Sequence, residues 1–95
     1  MRKTKYSVEV TSSFKQDYKR AKKRGLKMEL LQNVVALLAN GEKLPEERRD
    51  HELTGKWKGY RECHILPDWL LIYRINNNVL TLTLTHTGTH SDLFD

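Results

Sequence analysis

A single cysteine, Cys63, leaves no internal disulfide to staple a small core, and nothing in cysteine usage marks an oxidising compartment. Long apolar runs are missing as well. The longest, Val34 to Ala39, is far below the roughly 20 residues that span a bilayer. The opening Met1-Arg2-Lys3-Thr4-Lys5-Tyr6 leads into no apolar signal core. A soluble, cytoplasmic protein with no membrane partner is therefore expected. Internal repeats and low-complexity tracts are absent too, which excludes solenoids and linkers.

What remains is 95 residues, the length of one domain spanning 1–95, able to bury roughly 60–65% of its unfolded surface. The formal charge of +5 is unevenly placed. Residues 1–50 carry thirteen Lys/Arg against seven Asp/Glu, whereas residues 51–95 carry four against five. A basic half joined to a near-neutral half suggests a polyanion held by one part and worked on by the other. A solvated basic face kept for solubility explains the same charge pattern.

Alternation in Tyr6 to Val10 predicts a short strand. Thr11, Ser12 and Ser13 offer caps for a helix with Phe14, Tyr18 and Ala21 on one stripe and Lys/Arg over much of the rest, stopped at Gly25. A second helix, from about Lys27 to Ala39, has the wide apolar face of a core element. Residues 41–56 read as a loop. Three strands follow: Trp57–Leu66, Trp69–Ile75 and Val79–His86, joined by Pro67-Asp68 and by Asn76-Asn77-Asn78. In the last, Leu80, Leu82 and Leu84 are expected to face the helices, leaving a polar opposite face with a shallow cleft. Ser91 to Phe94 reads as a terminal turn or strand fragment. The order β-α-α-β-β-β predicts an α+β fold, a two-helix hairpin on one face of a mostly antiparallel four-stranded sheet.

All four histidines lie between positions 51 and 90, and two of them fall within the stretch DHELTGKWKGYRECHILPDW. Imidazole gives and takes protons near neutrality. Cleaving RNA needs a base for a ribose 2′-OH, an acid for the departing 5′-oxygen, and positive charge for the phosphorane. His51, His64, His90 and Asp68 can fill the first two roles, and Arg61 or Lys58 the third, with neither metal nor organic cofactor. Any one of these histidines is equally well explained as an ordinary surface residue; three together with Asp68 are harder to dismiss. A His/carboxylate metal site is the rival, but no ligand spacing such as HExxH or CxxC is present. Trp69 and Phe94 are candidates for stacking on bases, Trp57 and Tyr73 read as core, and Cys63 reads as a buried small hydrophobe.

The motifs DHELTGKWKGYRECHILPDWLLIYR and TGTHSDLF, with the preceding strand–helix–helix layout, resemble the RelE/ParE superfamily of bacterial type II toxins, closest to its YafQ branch. The resemblance covers essentially the whole chain. It implies a fold like that of small microbial ribonucleases and endoribonuclease cleavage of mRNA in the A site of the 70S ribosome. It also implies neutralisation by a cognate, acidic antitoxin of the DinJ type that folds on binding. Matched position by position, it assigns His51, His64, Asp68 and His90 to the acid/base group and Trp69 and Phe94 to the substrate. His90 would then be the general acid, His51 or Asp68 the base, and His64 an orienting or charge-stabilising group. Related sequences commonly carry Arg immediately before TGTH, where this chain has His86, so either His86 or Arg61 would hold the phosphorane. Two other readings compete. One is a gyrase-inhibiting toxin of the ParE branch, which lacks this His/Asp set; the other is a non-catalytic basic RNA- or protein-binding module.

Overall fold

A computed structural model describes residues 4–94; residues 1–3 and 95, the two ends of the expected domain, lie outside it. Strand β1 (Ser7–Val10) leads into α1 (Ser12–Lys23) and α2 (Met28–Ala39), and β2 (His51–Glu52), β3 (Arg61–Leu66), β4 (Trp69–Asn76), β5 (Thr81–Gly88) and α3 (His90–Phe94) follow. Among the described residues one sheet holds all five strands, in the order β1-β5-β4-β3-β2. β1 runs parallel to β5 and the other pairs are antiparallel. No helix among the described residues is long and apolar enough to cross a membrane.

Local chemistry explains the helices. Thr11 caps α1, its hydroxyl accepting from the Phe14 N–H at 3.0 Å, and Gly25 leaves the helix at φ +80, where a side chain would be strained. Phe14 and Ala21 of α1 and Leu31, Val34 and Leu38 of α2 are buried against one sheet face. Cys63, Ile65, Trp69, Leu71, Tyr73, Leu82 and Leu84 meet them from that face.

Four expectations need correction. The sheet has five strands, because His51–Glu52 pairs with Arg61–Glu62; two charged or polar residues carry no alternation from which a strand could be read. Trp57 lies outside β3, in a 3-10 turn at Gly55–Trp57, and Gly55 and Gly59 at φ +66 and +95 break the extended run. Leu80 does not face the helices: it sits at φ +48 in the β4–β5 connection and is largely exposed. The terminal segment 90–94 is a short helix, secured by Thr89 and Asp92, each bonding the other's main-chain N–H at 3.0 Å.

Two irregularities decide which side chains reach the second sheet face. β5 pairs Leu84 with Tyr73 but His86 with Ile72, so Thr85 is an unpaired extra residue. Leu82 and Leu84 before it, and Thr87 after it, point to the helices, while His86 is turned to the opposite side. β3 likewise pairs His64 with Leu70 but Leu66 with Trp69, leaving Ile65 extra. The second face is thus not wholly polar, since Leu70 and Ile72 are completely buried on it.

Candidate active site

The second sheet face is where the predicted residues gather. Directly opposed residues of an antiparallel pair share a face, so His51 of β2 stands beside Glu62 of β3, and Glu62 shares that face with His64 two positions on. Glu62 is 5% exposed, and its Oε1 lies 3.6 Å from His51 Nε2 and 3.8 Å from His64 Nε2. The other ring nitrogens face main-chain carbonyls: His51 Nδ1 approaches Arg49 O at 2.7 Å and His64 Nδ1 approaches Pro67 O at 3.2 Å. Donation from Nδ1 to these carbonyls fixes the tautomer and leaves both Nε2 atoms turned towards one buried carboxylate.

His90 opens α3, and the β3–β4 turn brings Asp68 to meet it. Asp68 Oδ1 accepts from the His90 main-chain N–H at 3.1 Å and lies 3.0 Å from its Nδ1. The main-chain bond, then the ring, holds the Asp68 carboxyl below the usual carboxylate range. Asp68 therefore stays charged and orients His90 with Nε2 free. The His90 ring centroid is 6.0 Å from that of His64 and 6.3 Å from that of Phe94. Trp57 closes the group at Phe94 (6.5 Å), His86 (5.6 Å) and Tyr60 (5.4 Å).

The salt-bridged frame behind His90 is held by α1. Asp92 pairs with Arg24 at 2.7 Å and lies 3.7 Å from Arg20; the Arg24 bond, then the Thr89 N–H, keep its carboxyl well below the usual range. Asp17 accepts from the Thr87 N–H at 3.2 Å and contacts His86 Nδ1 at 3.1 Å. A Cβ at Gly88 would come within 2.9 Å of Asp92 Oδ2, so this docking of α3 requires glycine there.

Two predicted residues are placed elsewhere. Trp69 is only 2% exposed, packed on the helix side with its indole N–H donating to Thr87 Oγ1 at 2.9 Å, so it offers no face to a base. Alternation put it there: Trp69 shares the phase of Leu71 and Tyr73. Arg61 shares the phase of Cys63 and Ile65, opposite to His64, and pairs with Asp50 at 3.1 Å beside the Tyr73 hydroxyl, which donates to the same carboxylate. Its guanidinium is not available to a phosphorane on the histidine face. Lys58 is exposed on the turn after Trp57. Sequence reading missed Glu62 and Asp17, although the alternation of Glu62 with His64 placed them on one side. Trp57, read as core, lies across the site instead.

The profile of the family described as "Bacterial toxin of type II toxin-antitoxin system, YafQ" matches residues 6–95. The chain belongs to the YafQ toxin family. Among its relatives, the mRNA interferase toxin YafQ of Escherichia coli K12 is 41% identical over 88 residues, 92% of this chain and 94% of that protein. The fold of the YafQ family is matched as well. YafQ in a crystal structure of the E. coli DinJ–YafQ complex superposes with a TM-score of 0.87 at 40% identity, over 95% of this chain and 99% of that one. A metal-bound toxin from Helicobacter pylori superposes with a TM-score of 0.89 at 40% identity, over 94% and 99%. Among the described residues of this YafQ-family chain, no three His, Cys, Asp or Glu side chains are grouped so as to hold a metal ion.

Proposed function

We propose that this protein is an mRNA interferase, an endoribonuclease that cuts mRNA in the ribosomal A site by metal-free acid/base catalysis. The observation that carries the reading is His90, clamped by Asp68 at 3.0 Å and set 6.0 Å from the His64 ring. A scissile phosphate fits between two imidazoles so spaced. His64 takes the 2′-OH proton, and the imidazolium that forms faces Glu62. The 2′-oxygen then attacks phosphorus, and the His90 Nε2–H gives its proton to the departing 5′-oxygen. A 2′,3′-cyclic phosphate and a 5′-hydroxyl result. The lowered basicity of Asp68 suits it to orienting His90 rather than to serving as base. His51, held against the same Glu62, supports charge on that carboxylate; Phe94, 43% exposed beside His90, offers a ring to an adjoining base. His86, on the same face, stands where related toxins place arginine.

The partner is a cognate antitoxin of the DinJ kind, an acidic segment that orders on binding; the exposed lysines 15, 19, 22 and 23 of α1 supply a basic surface for it. The test is a translation extract containing the purified protein, with mRNA ends mapped by primer extension. Discrete cuts within reading frames, resistant to EDTA and lost in His90→Ala, are expected. Intact mRNA, or cuts that persist in His90→Ala, would remove the proposal.

A further inference from the structure

We infer that the hollow beside His64, walled by Arg48, Arg49, Leu66 and Pro67, is a subsite for a nucleotide flanking the scissile phosphate; the inference rests on the acid/base reading above. The hollow measures about 560 Å³, within the range of small-ligand sites, and His64 belongs to both it and the acid/base group. A strand of RNA laid between His64 and His90 therefore continues into it.

Its construction is costly in ways that point to use. Arg49 sits at φ 51, ψ 42, a left-handed conformation uncommon for a residue with a side chain. That conformation delivers the Arg49 carbonyl to His51 Nδ1, and the same residue lines the hollow. Arg48 is anchored by donating to the carbonyl of Ile65 at 2.5 Å. Ile65 is the extra residue of the β3 irregularity, so one feature shapes both the strand end and the arginine.

The charges are unspent. Arg20, Arg24 and Arg61 are all paired with carboxylates. No ion pair engages Arg48 or Arg49 among the described residues, and a guanidinium has five N–H donors, of which Arg48 uses one here. Glu47, also on the rim, offsets one of the two charges, leaving a balance that matches a single phosphodiester rather than a pyrophosphate. The opposite wall is apolar: Leu66 is 41% exposed, next to exposed Pro67. One anion beside a flat apolar body describes a nucleotide, and Arg is the side chain suited to binding phosphate through paired N–H groups.

The test uses full-length protein made inert by His90→Ala, titrated with short oligoribonucleotides carrying a 2′-deoxy sugar at the cleavage position and followed by amide NMR. Oligonucleotides extended by one nucleotide on the side of His64 should shift the amides of Arg48, Arg49 and Leu66; those ending at the scissile phosphate should not. In the active protein, Arg49→Gln should raise KM for mRNA cleavage about three- to tenfold at constant kcat, and Arg49→Lys should restore most of it. The slope of log Kd against log salt should fall by about 0.7 in Arg49→Gln, as for one single-strand phosphate contact. Shifts confined to Asp68, His90 and Phe94, with KM and salt slope unchanged, would overturn the subsite. Cleavage surviving in His90→Ala would instead strike the acid/base reading, so the two failures are distinguishable.

Discussion

Thr87 ties the core to the candidate catalytic face, and replacing it by valine measures how firmly. Its hydroxyl accepts from the Trp69 indole N–H at 2.9 Å and donates to Leu70 O at 2.6 Å, in a position that is fully buried. These two bonds hold the start of β4 against the end of β5, and with them Asp68 beside His90. Valine has nearly the same shape and suits a strand, so Thr87→Val opens no cavity. What it does is strand a buried indole N–H, costing about 1–3 kcal/mol, and remove a bond to Leu70 O worth about 0.5–1.5 kcal/mol. The sum is roughly 1.5–4.5 kcal/mol, and at about 4–8 °C per kcal/mol the melting temperature should fall by at least ~6 °C. Urea unfolding in a His90→Ala background supplies the free energy directly. A cycle with Trp69→Phe isolates the bond: the double variant has no orphaned N–H, so the single losses should sum to about 1 kcal/mol more than the double. A Thr87→Val loss below about 0.5 kcal/mol, or strict additivity in the cycle, would refute the argument.

The remaining expectations concern charge. Asp68 has a folded pKa below its unfolded value, so its contribution to stability is present above the ordinary carboxylate range and is lost as pH falls through the lowered value. Thermal melts from pH 6 to pH 2 should therefore decline more steeply for the natural protein than for Asp68→Asn, while Asp68→Asn cleaves more slowly at neutral pH. Glu62→Gln should lower kcat about tenfold with little change in KM, because glutamine keeps the size of the side chain but leaves two imidazoles without their carboxylate. Burial pushes the Cys63 thiol up to about 12, so iodoacetamide at pH 8 should label it only after unfolding.

Periodicity made the scaffold legible. The apolar face of Leu31, Val34 and Leu38 and the doubly apolar Trp69–Tyr73 run announced a core helix and a central strand. It could not announce β2, since a two-residue strand is defined by its partner rather than by its own pattern. The proposed acid/base residues were visible as residue types, but their grouping depends on a turn and a helix start that touch across 22 positions, Asp68 to His90. Arg61 and Trp69 misled for a shared reason. A functional residue type in a functional stretch still obeys strand alternation, and both fell on the core side.

The phase of β5 sharpens that lesson, because strict alternation from Leu82 and Leu84 would carry His86 into the core. Thr85 prevents this as an unpaired residue between Leu84, opposite Tyr73, and His86, opposite Ile72. Deleting Thr85 would make Leu84 and His86 adjacent while each keeps its partner on β4, so the side chains of Thr87 and His86 would keep their faces. Deletions within a buried strand ordinarily reverse every residue beyond them; this one should not. Its cost should be near the Thr11 hydroxyl bond to Thr85 O, now 2.7 Å, about 0.5–1.5 kcal/mol. The deletion variant should therefore melt cooperatively within about 10 °C of its parent, whereas inserting one alanine between Leu82 and Thr83 should abolish folding. A Thr85 deletion that unfolds, or an insertion that is tolerated, would show that the faces of β5 are not set by this one residue.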